Sequence, residues 1–123
     1  MNWVLSPSAL IDACGHVAPE LGLSPKASET ALRVALREAD HLAEDVYDVP
    51  AAVLFALGRT PRCFAAFRSM SVLATQWQAK ALGFKLDATP LQIASILGRV
   101  ARSEMSYPEV RAWMADRLFP FGG

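Results

Sequence analysis

The sequence predicts an all-α fold, a compact bundle of about six helices. Three observations predict it. A hydroxyl residue stands directly before a proline at Ser6-Pro7, Ser24-Pro25, Thr60-Pro61 and Thr89-Pro90. At an N-cap such a hydroxyl accepts a bond from a free backbone N–H, and proline in the first turn has a preset φ and no N–H to satisfy. Between these starts the apolar residues recur at helical spacing rather than alternating. The only strand-like piece, Phe84-Lys85-Leu86, is too short to make a sheet.

The first helix runs from about Pro7 to Ala18, with Ala9, Leu10, Ala13 and Val17 on one side. The second runs from about Lys26 to Val46. Its Ala27, Ala31, Ala35, Ala39 and Ala43 recur every fourth residue, a small-residue stripe that lets another helix approach closely. Asp48 before Val49-Pro50 is a looser start signal for the third helix, Val49 to Leu57. That segment is apolar nearly all round, which predicts burial. The fourth helix ends near Leu82, where Gly83 suits the position after the C-cap. The fifth covers about Leu91 to Arg102 and the sixth about Pro108 to Leu118. Thr89 with Gln92, and Ser106 with Glu109, have the spacing of capping boxes. The tail Phe119-Pro120-Phe121-Gly122-Gly123 cannot continue a helix.

A length of 123 residues fits one helical domain over 1–123 and leaves no room for two. No internal repeat, low-complexity segment or linker interrupts it. The hydrophobic share of 53% is high for so small a domain, which points to a partner surface or a homo-oligomer. Lys+Arg and Asp+Glu are each 12, a balance that argues against nucleic-acid binding. Cys14 and Cys63 form no CxxC, so buried free thiols are expected rather than a zinc site. The start, Met1-Asn2-Trp3-Val4, lacks a basic segment followed by an apolar one, and no apolar run approaches the ~20 residues that span a bilayer. A cytoplasmic protein without membrane contact, metal or cofactor is expected.

Candidate chemistry is sparse. His41 lies beside Asp40, Glu44 and Asp45, and His41/Asp45 are spaced i,i+4. This is a carboxylate–histidine pair or, more simply, a solvated helix face. His16 falls near the end of the first helix, where an imidazolium interacts well with the helix dipole. Arg59, Arg62 and Arg68 surround the Thr60-Pro61 cap, a candidate anion-binding group at a helix start. Trp3, Trp77 and Trp113 read as core or interface anchors. Ser69 and Ser71 have no nearby base.

The order of elements resembles the Doc branch of the Fic (death-on-curing) family over nearly the whole chain. Leu5-Ser6-Pro7-Ser8-Ala9-Leu10-Ile11 is similar to the family's opening "(I/L)-S-x-E-x-L-I". Leu82-Gly83-Phe84-Lys85-Leu86 resembles its "N-G-(apolar)-x-(apolar)". The run Val100 to Glu109 followed by Ala112-Trp113-Met114 resembles its C-terminal "A-x-G-E-(apolar)-S/T-x-E" and last helix. The resemblance implies a transferase whose signature is H-x-F-x-(D/E)-(G/A)-N-(G/K)-R, with a proton-transferring His, a metal-holding acid and a phosphate nest at a helix N-terminus.

Counting back without gaps from Gly83 sets that signature on Pro61 through Ser69. The His position falls on Pro61, the Phe on Cys63, the acid on Ala65, the small residue on Ala66 and the Asn on Phe67. Arg68 keeps the basic position and Ser69 replaces the final Arg. No His, Asp, Glu or Asn lies between Gly58 and Gln76, so no shift of register restores it. Base, metal ligand and nest are lost together.

The resulting expectation is a non-catalytic Doc/Fic-like binding or regulatory module. Its partner would be a protein or peptide, such as one resembling an antitoxin tail as in the family's toxin–antitoxin pairs, or a second copy. The alternative is a repurposed enzyme acting on an anionic or nucleotide-like substrate held by Arg62 and Arg68.

Overall fold

The computed structural model describes residues 3–121; Met1 and Asn2, which open the expected leaderless start, and Gly122 and Gly123 of the tail lie outside them. Among the described residues the chain forms six α-helices and a two-stranded ribbon, so the all-α expectation holds. The helices are α1 (Pro7–Val17), α2 (Glu29–Leu42), α3 (Val49–Gly58), α4 (Phe67–Ala81), α5 (Pro90–Ala101) and α6 (Tyr107–Ala115). None is long and apolar enough to cross a membrane.

α3 is the axis of the fold. All ten of its residues are buried, as its all-round apolar sequence predicts, and α2, α4, α5 and α6 pack against it. The alanine stripe of α2 supplies one close contact surface, with Ala31, Ala35 and Ala39 buried beside Leu32 and Leu36. At the far end of α3 the close partner is α5. A Cβ on Gly58 would stand 2.7 Å from Val100 Cγ1, so only glycine allows that approach. All three tryptophans are half-buried against this core. Cys14 and Cys63 are free and buried.

Three of the start signals and one stop signal act as read. Ser6 accepts from Ala9 N at the head of α1. Thr89–Gln92 and Ser106–Glu109 form complete capping boxes at α5 and α6. Gly83 takes φ +83° after α4, the left-handed position that an L side chain resists.

Other boundaries differ from the sequence expectation, each for a tertiary reason. α2 begins at Glu29 rather than Lys26, capped by Ser28, whose hydroxyl accepts from Ala31 N. The residues before it are drawn into backbone pairing with the segment preceding α4: Ser28 N donates to Cys63 O and Ala65 N to Lys26 O. Ser24-Pro25 therefore starts no helix, and the Ser24 hydroxyl accepts from Lys26 N instead. α2 also stops at Leu42, where Ala43 turns extended, instead of continuing to Val46. Asp48 does not cap α3; its carboxylate accepts from Glu44 N.

The C-terminal end differs too. α6 ends at Ala115, and the following residues leave it to form β2 (Leu118–Pro120), antiparallel to β1 (Phe84–Leu86). The piece read as too short for a sheet thus finds a partner distant in sequence, fixed by Asp87 N to Arg117 O and Phe121 N to Gly83 O. Pro120 has no N–H to offer, which blunts the ribbon's exposed edge.

Two long-range polar ties have no simple sequence signal. Buried Gln78 on α4 accepts from Leu5 N and donates to Trp3 O, binding the N-terminal segment as a strand would. Ser103 closes α5 in a left-handed conformation, φ +59°. Ser103 N donates to Val100 O and Glu104 N to Arg99 O, the two bonds of a Schellman close with serine in glycine's usual place.

Candidate functional site

The segment Thr60 to Ser69 joins α3 to α4: Thr60 to Ala66 form the connection, and Phe67 to Ser69 are the first turn of α4. Thr60 is buried and its hydroxyl donates to Ala56 O at 3.0 Å. With that hydroxyl turned back on α3, Thr60 makes no side-chain cap, and Pro61–Cys63 forms only one 3-10 turn. Phe64 is extended and bridges Ala27. α4 then begins at Phe67 behind Ala66, which has no side-chain oxygen to cap it.

The residues at the signature positions have little chemical reach. Pro61 and Ala65 are exposed, Ala66 and Phe67 half-buried, Arg68 and Ser69 exposed. Cys63, the one thiol, is fully buried. Burial pushes its thiol up to about 11, opposed only in part by Arg62, so it is held as the unreactive thiol. No carboxylate, imidazole or accessible thiol stands in this stretch to transfer a proton near neutral pH or hold a metal.

The three candidate anion-binding arginines do not converge. Arg59 faces one cavity beside Phe55, its guanidinium 5.6 Å from that ring and 3.4 Å from Glu38 Oε1. Arg62 lines a second cavity with Lys26 and Phe64. Arg68 lines a third, between α4 and α5. The histidines are also apart from any cluster. His16 is exposed in the last turn of α1. His41 is exposed in the last turn of α2, and because that helix stops at Leu42, Asp45 is no longer one turn above it. Asp45 instead accepts from Tyr47 N. Among the described residues no group of three or more His, Cys, Asp or Glu side chains is placed to hold a metal ion.

The chain matches no family model and no curated protein.

The sequence reading passed over the groove that Arg68 borders. Its walls are Arg68, Val72 and Leu73 on α4 against Pro90, Leu91 and Ala94 on α5, and Leu21 closes one end. It measures about 330 Å³ and is mostly apolar. Leu91 is 82% exposed and Leu21 55%, the most exposed leucines among the described residues. Among the described residues Arg68 has no carboxylate partner. The available signal was Leu91 itself, at the second position of a well-capped helix and off the face defined by Ile93, Ile96, Leu97 and Val100.

Proposed function

We propose that the protein is a non-catalytic binding module, a Doc/Fic-like domain without that family's chemistry, and that its α4–α5 groove takes an amphipathic segment of a protein partner. The observation that carries this reading is the exposed pair Leu91 and Leu21 on an apolar groove with an unpaired guanidinium at its rim. Apolar side chains left in water cost free energy that docking returns; covering a leucine contributes about 1.5–3 kcal/mol. Arg68 supplies direction, since it rewards a partner carrying a carboxylate beside its apolar anchors.

The Doc/Fic part of the reading draws support from element order. A buried helix, a short irregular connection and a long helix ending in glycine at positive φ precede an extended Phe84–Leu86, in the order the resemblance implies. Arg68 and Ser69, the last two signature positions, both lie on the groove wall. The alternative of an enzyme acting on an anion gains nothing from arginines that line three separate cavities.

The test is a photo-crosslinking amino acid placed at Leu91 in the native host, with Val34 on the exposed face of α2 as control. A discrete adduct at Leu91, missing at Val34 and lost on Arg68→Glu, is expected. No adduct at Leu91, or the same adduct at both positions, refutes the groove as a docking site. Separately, the purified protein incubated with labelled ATP, Mg²⁺ and host lysate should label nothing; labelling abolished by substituting Arg68 would overturn the non-catalytic reading.

A further inference from the structure

The cavity that Arg59 faces, of about 390 Å³, opens between the end of α3 and the turn joining α5 to α6. It shares no residue with the groove above. Phe55, Val100 and Met105 form its apolar wall. Its polar lining carries one guanidinium, Arg59, two carboxylates, Glu104 and Glu109, and the residues Ser103 and Ser106.

The state of each charge limits what can bind. Glu109 accepts from both Ser106 N and Ser106 Oγ, and both bonds fall on Oε1. Those bonds hold its carboxyl below the usual carboxylate range, so it is charged at neutral pH. Its Oε2 has no donor among the described residues. Glu104 is paired with Arg102 at 2.7 Å. Arg59 makes only the long contact to Glu38, with more than half of its side chain exposed, and most of its five donors remain available.

With Glu104 paired to Arg102, and Arg99 acting on Glu109 only as the weakest influence on its carboxyl, the charges left uncommitted in the lining are Arg59 and Glu109 Oε2. A phosphate or other simple anion would pair with Arg59 and leave Glu109 facing like charge, and a simple cation would pair with Glu109 and strand the guanidinium. From this pattern we infer that the cavity binds a small zwitterion, a free α-amino acid with an apolar side chain. Its carboxylate pairs with Arg59, its ammonium with Glu109 Oε2, and its side chain covers Phe55, Val100 and Met105. The volume lies in the range of small-molecule pockets, about 300–1,000 Å³. The left-handed Ser103 is consistent with this use: glycine would close α5 at lower cost, whereas serine places a hydroxyl in the cavity lining.

The test titrates the isotopically labelled full chain with L-phenylalanine, its amide and its N-acetyl derivative, and follows the backbone amides by NMR. L-Phenylalanine is expected to shift the amides of Arg59 and of Ser103 to Ser106. Each analogue lacks one charge and should bind about tenfold more weakly or worse, the usual loss for one charge-assisted bond. Arg59→Gln should erase the preference over the amide. Glu109→Gln, which keeps the capping oxygen, should erase the preference over the N-acetyl derivative. Shifts absent from this cavity, or centred elsewhere, overturn the inference, as does equal binding of all three probes. Because the wild-type titration decides the point alone, a variant that fails to fold leaves it testable.

Discussion

Gly58→Ala gives the sharpest test of how α3 is held against α5. The added Cβ would lie 2.7 Å from Val100 Cγ1, 2.9 Å from Val100 Cβ and 3.4 Å from Leu97 O. The first two distances are shorter than any carbon–carbon contact tolerates. Relief by side-chain rotation is closed, because valine is stiff at χ1 and its Cβ is fixed to the α5 backbone. The helix must move. Overpacking of this kind costs about 1–3 kcal/mol, and replacing glycine within a helix returns at most about 1 kcal/mol. Two contacts under 3.0 Å put the cost in the upper part of that range, so a net loss of roughly 1–2 kcal/mol follows, which for a chain of this size lowers Tm by about 4–8 °C. The assay is urea unfolding of Gly58→Ala, Val100→Ala and the double variant. Val100→Ala alone should cost roughly 1–3 kcal/mol through lost burial and a cavity. In the double variant that cavity receives the new methyl, so the two losses should fall short of adding by at least about 0.5 kcal/mol. A neutral or stabilising Gly58→Ala, or strictly additive losses, would refute the close α3–α5 approach. Phe55, Arg59 and Val100 all line the amino-acid cavity, so the same substitution should also reshape it.

Ser103→Gly should stabilise by about 0.5–1 kcal/mol in thermal unfolding, because it relieves a side chain held at positive φ. Gln78→Ala should cost about 1–3 kcal/mol and raise hydrogen exchange at Leu5, whose N–H loses its partner. Leu91→Glu should leave stability within about 0.5 kcal/mol of wild type, since the side chain is 82% exposed, while removing the adduct formed by a crosslinker placed at Leu21 on the same groove. Glu109 has a lowered folded-state pKa, so its contribution is present above its ordinary 4.5 and is lost as pH falls through the folded value. Glu109→Gln should flatten stability against pH in that acid window. Finally, a thiol reagent at neutral pH should modify neither Cys14 nor Cys63 until the chain unfolds, given burial of both and a Cys63 thiol pushed up to about 11.

Much of the fold was legible in local chemistry. Burial of α3 followed from a run with no polar face, the end of α4 followed from Gly83, and the starts of α5 and α6 followed from two capping boxes. Such signals are contained within a turn or two of chain, so sequence suffices to read them. The misread boundaries share a different cause. Ser24, Thr60 and Asp48 are the residue types that cap helices, yet each hydroxyl or carboxylate has an alternative backbone partner nearby, and long-range pairing decides which is used. Thr60 bonds back to Ala56, and Lys26 to Ser28 pair with Cys63 to Ala65.

For the candidate sites the division is sharper. Sequence by itself determined which chemistry is missing between Gly58 and Gln76, because an absent His, Asp, Glu or Asn is absent in any conformation. It could not say that Arg59, Arg62 and Arg68, within ten residues of one another, open onto three different cavities. Nor could it join Leu21 to Leu91, or Arg59 to Glu109, across long stretches of chain. Residue type sets what a side chain can do, and packing around α3 alone sets which side chains meet, because burial is non-directional and the same apolar faces can stack in several ways until close contacts such as Gly58 on Val100 select one.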